Sequence, residues 1–208
     1  MRKIGLLLGS FDPIHIAHIN MASCALNSGL CDKVLFVVAK HNPWKENMPV
    51  DFDLRCEMVE ASIKPFGDKC EVCTVENGIE PPVYAYKSLN ALREWYSDDE
   101  LYVIAGTDTI DAIPNWKCFD AEIKDKYSFI EVRRGCDTTE IDNEKRPFIV
   151  REGSRNGLTN KEFWYIKMKK LEASSTLVRS MVRKGMTPYP YVIKEVLDII
   201  NENNLYKQ

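Results

Sequence analysis

Apolar residues fall into two alternating patterns through the first two thirds of the chain. Continuous runs, such as Lys3 to Leu8 and Lys33 to Ala39 around Val34-Leu35-Phe36-Val37-Val38, predict strands of a parallel sheet covered on both faces. Between these runs, Ile16, Ile19, Ala22, Ser23 and Leu26 recur at helical spacing until Gly29 ends the helix. The alternation continues with a helix over 51–63, where Leu54, Met58 and Ile63 lie on or near one side, and a strand over 71–75. A helix over 84–96 and strands over 101–105 and 127–132 follow. Residues 135–160 lose the periodicity and read as an extended loop or an edge hairpin containing Phe148-Ile149-Val150. A strand over 163–168 and two helices, over about 174–184 and 190–203, close the chain.

Alternating elements of this kind predict an α/β fold, a Rossmann-like doubly wound parallel sheet with C-terminal helices. The expected organisation is one domain over 1–208, with a Rossmann-like core over 1–170 and a helical part over 171–208. Such sheets bind ligands beyond the carboxyl ends of their strands. The polar motifs discussed below all follow a predicted strand or open a predicted helix.

Composition narrows the function without naming it. With 45% hydrophobic and 28% charged residues, the 208-residue chain has the usage of a packed globular protein, not of a disordered or collagen-like one. The net charge of −3 offers no basic excess to neutralise a polymer of phosphates, so any nucleotide partner is expected to be small and not a nucleic acid. No apolar run reaches the ~20 residues that span a bilayer. The N-terminal run meets Asp12 and His15 where a signal peptide would have a small-residue cleavage site, so a cytoplasmic location without a membrane partner is expected. Seven cysteines, an odd number scattered from Cys24 to Cys136, argue for reduced thiols. Cys70 and Cys73 are three apart on a predicted strand and should point to opposite faces, which makes a zinc pair a poor reading and leaves no protein-held metal site expected.

The strongest local signal is Gly9-Ser10-Phe11-Asp12-Pro13-Ile14-His15-Ile16-Ala17-His18, which follows the first strand and opens the first helix. Gly9 would let backbone amides approach a phosphate. His15 and His18, three apart at a helix start, share a face with the free amides there, an arrangement that favours an anion. A lone H-x-x-H most often just stacks two imidazoles on a solvated helix start; this context favours a phosphate site. A second segment, Ser174-Ser175-Thr176-Leu177-Val178-Arg179, supplies hydroxyls suited to capping a helix and holding phosphate, with an arginine one turn in that can fork onto pyrophosphate.

Taken together and in this order, the two segments resemble the G-x-F-D-P-x-H-x-x-H and S-S-T-x-x-R motifs of the nucleotidylyltransferase superfamily, specifically the bacterial nicotinate mononucleotide adenylyltransferases. The resemblance implies transfer of AMP from ATP to nicotinate mononucleotide, giving deamido-NAD and pyrophosphate in NAD biosynthesis, with Mg2+ accompanying ATP. It implies catalytic roles for His15, His18, Lys45 and Arg179. ATP would be met by Gly9, Ser10, Phe11, His18, the turn Gly106-Thr107-Asp108 through Gly106 and Asp108, and the helix tip of Ser175, Thr176 and Arg179. The mononucleotide would be met by Ser10, Phe11, Tyr84, Trp116 as a stacking face, Arg133 in the segment Val132-Arg133-Arg134-Gly135, and Lys45 at the end of Asn42-Pro43-Trp44-Lys45. Arg55, Met58 and the closing Leu205-Tyr206 fit the same family.

The chain departs from the family at Ala17, where glycine is usual, and in Tyr84-Ala85-Tyr86-Lys87-Ser88-Leu89, where a threonine and an aspartate of Y-T-x-D-T-L are missing. That second departure leaves nicotinate against nicotinamide mononucleotide open. Lys167-Met168-Lys169-Lys170 is similar to K-M-S-K-S but lacks its serine, and reads as a charged strand end. A phosphopantetheine adenylyltransferase and a non-catalytic nucleotide-binding regulator remain as alternatives, and a homo-oligomer stays open.

Overall fold

The computed structural model describes residues 1–40, 50–135, 148–155, 157–168 and 171–207. Strands β1 (Lys3–Gly9), β2 (Lys33–Val38), β3 (Cys70–Cys73), β4 (Glu100–Gly106), β5 (Ser128–Arg134), β6 (Phe148–Arg155) and β7 (Thr159–Met168) form one sheet in the order β3-β2-β1-β4-β5-β7-β6. Every pairing is parallel except that of β6 with β7. The edge hairpin expected around Phe148-Ile149-Val150 is thus present, and it makes the sheet mixed at that edge. The helices are α1 (Ile16–Asn27), α2 (Phe52–Ile63), α3 (Ala85–Trp95), α4 (Thr107–Ala112), α5 (Ser175–Arg183) and α6 (Lys194–Glu202).

The continuous apolar runs are explained by two cores, one on each face. Successive strand residues alternate between them: Leu7, Phe36, Ile104 and Ile130 enter one cluster, while Leu6, Leu35, Val103 and Phe129 enter the other. Each such fully buried side chain contributes roughly 1.5–3 kcal/mol relative to exposure. Cys70 and Cys73 belong to opposite clusters, as their spacing required. The first cluster also holds Met58 of α2, Val178 of α5, and Val196 and Ile200 of α6. The closing helices therefore share a core with β1 and β2.

Two elements differ from expectation. Helix α4, six residues long, is too short to show a 3.6-residue period. Helix α6 starts at Lys194, not at 190, because residues 188–191 form a turn in which Tyr191 N–H donates to the Pro188 carbonyl at 2.9 Å. The Tyr191 carbonyl in turn accepts from Ile16 N–H at 2.9 Å, satisfying the first amide of α1. Among the described residues, no helix is long and apolar enough to cross a membrane, and six cysteines are free thiols.

Candidate active site

The site forms where β1 and β4 part at their carboxyl ends, and it begins with Gly9. A Cβ there would lie 2.9 Å from the Phe11 ring, so the glycine is required by a side chain of its own loop. This differs from the expected role of admitting backbone to a phosphate. Phe11, with φ 48, is buried under the loop, its ring 5.6 Å from Phe36 and edge-on to His18 at 5.0 Å.

The loop is held from below by Arg55, which is 1% exposed. Its guanidinium donates to the carbonyls of Ser10 and Ala39 at 2.7 Å each and to that of Val50 at 3.1 Å. Burial lowers the Arg55 pKa, but a guanidinium starts so high that it keeps its charge. Asp12 is equally buried, and its Oδ1 accepts from Tyr206 O–H at 2.6 Å. Burial, followed by the charge of Asp12, pushes the Tyr206 phenol far up, so the phenol stays a donor. The family-like ending Leu205-Tyr206 thereby acquires a physical reason.

His15 and His18 stack with ring centroids 3.8 Å apart. His15 N–H donates to His18 Nδ1 at 3.3 Å, so a neutral His18 carries its proton on Nε2 and can donate from there. The second motif meets the first directly. Arg179 Nη1 donates to the Asp12 carbonyl at 2.6 Å, and Ser175 Oγ donates to the Pro13 carbonyl at 2.8 Å. Ser174 caps α5 by accepting from Leu177 N–H at 3.1 Å. Thr176 Oγ1 lies 3.3 Å from Arg179 Nη2.

A cleft of about 480 Å3 opens beside these groups, within the range of small-molecule sites. Gly9, Ser10, His15, His18 and Ser174 line one part, and Ala17 lies there too, with its methyl buried. Gly106 and Asp108 line the wall at the end of β4. Tyr84, Ala85, Trp116 and Lys117 line another part. Most of the expected site residues therefore converge. Phe11 supports the cleft from beneath; Ser175 and Arg179 stand next to its lining through their bonds to the loop, and Thr176 is tied to Arg179. Arg133 is not in the lining: its Nε lies 3.0 Å from Glu131 Oε1, and its guanidinium sits 3.7 Å over the Tyr165 ring. Lys45 and the rest of residues 42–45 lie outside the described residues.

Sequence reasoning missed Glu76. This carboxylate is 6% exposed and lines the cleft. Oε2 accepts from Lys40 N–H and Oε1 from Ser88 O–H, each at 2.8 Å. Burial raises its pKa against the opposing effect of those two donors. Nothing in Val75-Glu76-Asn77-Gly78 announces this, since a lone acid in a polar turn has no periodicity to betray its burial.

A parallel sheet with a capped loop after its first strand, two stacked imidazoles and an arginine-bearing helix tip on one cleft defines a nucleotide-transfer architecture. The chain belongs to the cytidylyltransferase-like family, whose model matches residues 6–181, and within it groups with nicotinate-nucleotide adenylyltransferases. A "Probable nicotinate-nucleotide adenylyltransferase" of Clostridium perfringens (strain 13 / Type A) is 32% identical over 211 residues, covering 100% of both chains. One of the same name from Staphylococcus epidermidis (strain ATCC 12228 / FDA PCI 1200) is 31% identical, covering 99% of this chain and 97% of its own. The solved Plasmodium falciparum nicotinic acid mononucleotide adenylyltransferase complexed with NaAD superposes with a TM-score of 0.76 at 22% identity. That alignment covers 99% of this chain and 98% of the other, and the likeness is one of fold.

Proposed function

We propose that this protein transfers AMP from ATP to nicotinate mononucleotide, forming deamido-NAD and pyrophosphate. The observation that carries the reading is the junction of the two motifs: the Arg179 bond to the Asp12 carbonyl and the Ser175 bond to the Pro13 carbonyl set α5 against the His15–His18 turn. The relatives named above support the acceptor, since they match over the full length.

The reaction is an in-line displacement. A phosphate oxygen of the mononucleotide attacks the α-phosphorus of ATP, and the bond to the bridging oxygen breaks as pyrophosphate leaves with that electron pair. His18 donates from Nε2 to phosphate oxygens as charge grows there, and His15 holds the imidazole stack in place. The tip of α5, with Ser175, Thr176 and Arg179, receives the leaving pyrophosphate. Lys45 carries the phosphate-binding charge that the family motif supplies. Gly106, Asp108 and the Gly9-Ser10 turn hold the nucleoside and phosphates of ATP, while Tyr84 and Trp116 serve the mononucleotide.

Mg2+ neutralises the triphosphate when it is bound. Among the described residues, no group of three or more His, Cys, Asp or Glu side chains comes together. An ion of this kind is held mainly by phosphate oxygens and water. The enzyme would work in the cytoplasm.

Pyrophosphate release is the test, with ATP and, in parallel, nicotinate mononucleotide, nicotinamide mononucleotide and 4′-phosphopantetheine. The acid mononucleotide is expected to give the fastest release. Release with phosphopantetheine alone would move the protein to coenzyme A synthesis. Tight nucleotide binding without any release would make it a regulator.

A further inference from the structure

We propose that Glu131 is a positioning residue for ATP: by holding Thr107 it fixes the direction in which Gly106 and Asp108 face the nucleotide. This rests on the assignment of the wall at the end of β4 to ATP and deepens it.

Glu131 is 0% exposed, in a strand whose neighbours Phe129, Ile130 and Val132 are buried and apolar. It stands beside Ala105 in the register of β4 and β5, two residues along from Phe129, and shares their face of the sheet. A carboxylate buried there costs free energy unless it is paired and hydrogen-bonded. Thr107 O–H donates to Oε1 at 2.9 Å. Arg133 donates to both oxygens, from Nε to Oε1 at 3.0 Å and from Nη2 to Oε2 at 3.3 Å. Arg155 Nη1 lies 3.8 Å from Oε2. Glu131, Arg133 and Arg155 do not line the cleft, so the cluster acts on a ligand through what it holds.

What it holds is α4. That helix has six residues, and so short a helix does not keep an orientation of its own. Ile110 anchors it to the core, but an apolar contact is non-directional. Thr107 and Asp111, four residues apart, lie on one side of α4. Both are engaged by the cluster, Thr107 through Glu131 and Asp111 through its ion pair with Arg155. Asp108 lies about 100° round the helix from Thr107. Exposed and on the cleft wall, it points where the tie at Thr107 turns it. One bond therefore sets the backbone of Gly106, the residue before, and the carboxylate of Asp108, the residue after. Arg133, expected at the mononucleotide, belongs to the support of the ATP wall.

The experiment measures pyrophosphate release by wild type, Thr107→Val, Glu131→Gln and the double variant, varying ATP and nicotinate mononucleotide in turn. Thr107→Val keeps the shape of the side chain and removes the donor. Loss of a hydrogen bond to a charged group predicts an ATP KM raised about tenfold, with kcat and the mononucleotide KM within about twofold of wild type. Thr107→Ser retains the hydroxyl and should restore the ATP KM. Glu131→Gln should raise the ATP KM about threefold, since an amide oxygen still accepts but the charge is gone. The double variant should match Thr107→Val, because both changes break one tie. Additive effects would mean that Thr107 meets ATP directly, and would overturn the role of Glu131. An unchanged ATP KM in Thr107→Val, or equal rises for both substrates, would overturn it too. Where Glu131→Gln does not fold, because it leaves two arginines short of a counter-charge, Arg155→Met replaces it. That position is partly exposed and outside the cleft; the ATP KM should rise about threefold with the mononucleotide KM unchanged, and no rise would count against the proposal. Asp108→Ala separates the two layers of the argument. If it leaves the ATP KM unchanged, the wall does not serve ATP and both readings fall. If it raises that KM while Thr107→Val does not, the Glu131 assignment alone falls.

Discussion

The two ends of the cleft are built differently. At the phosphate end, positions are fixed by main chain: Arg55 holds the carbonyls of Ser10 and Ala39, Arg179 that of Asp12, Ser175 that of Pro13. At the end proposed for the pyridine, Tyr84, Trp116 and Lys117 present side-chain surface with few such ties. The difference teaches where variation is tolerated. A side chain that holds a carbonyl needs its own shape and charge, whereas the carbonyl comes with any residue. The chain keeps the charged residues proposed for the phosphate end, and its departures from the family are Ala17 there and, in the segment that opens α3, Ala85 and Lys87.

The largest expected effect breaks the fixed end. His18→Ala removes the Nε2 donor and the acceptor for His15 N–H. Turnover should fall by about a hundredfold or more, the usual cost of one charge-stabilising donor. The mononucleotide KM should move little, and steady-state pyrophosphate release measures both. Near-normal kcat would mean that the stacked imidazoles are structural and that the phosphate end is organised by α5 alone.

A smaller effect tests the other end. Trp116→Ala should raise the mononucleotide KM by about tenfold, the loss of one aromatic face, and leave that of ATP unchanged. Isothermal titration with each substrate separates the two. Parallel losses for both would show that Trp116 supports the whole cleft from within, which would erase the distinction between a fixed and a variable end.

How much of this was legible in the sequence depended on whether a residue leaves a pattern. The strands were legible because both faces of the sheet are covered, which forces unbroken apolar runs such as Val34-Leu35-Phe36-Val37-Val38. Helix α4 was not, being shorter than two turns. His15, His18 and Arg179 were legible as motifs. The clamp by Arg55 was hidden, because its partners are carbonyls and any residue supplies a carbonyl. Gly9 was legible, but a further reason for it was not: the space above it belongs to Phe11, a neighbour two residues along that composition cannot place.

Glu76 joins the two ends, and it offers the subtlest test. One oxygen takes the N–H of Lys40, where the chain leaves β2 towards Lys45; the other takes Ser88 in α3, four residues from Tyr84. Burial raises its folded-state pKa above the ordinary value of 4.5. The folded protein then holds this proton at a pH where the unfolded chain has lost it, so stability falls as pH rises through the folded pKa. Glu76→Gln keeps an oxygen for Lys40 N–H and cannot titrate. The stability of wild type minus that of Glu76→Gln should therefore be greatest below the ordinary value of 4.5 and decline as the pH rises above it, measured by urea denaturation at a series of pH values. A flat difference would mean that the carboxylate is hydrated in solution. The link it makes between the phosphate and pyridine ends would then be open to water, and the two ends would have to be aligned by the sheet alone.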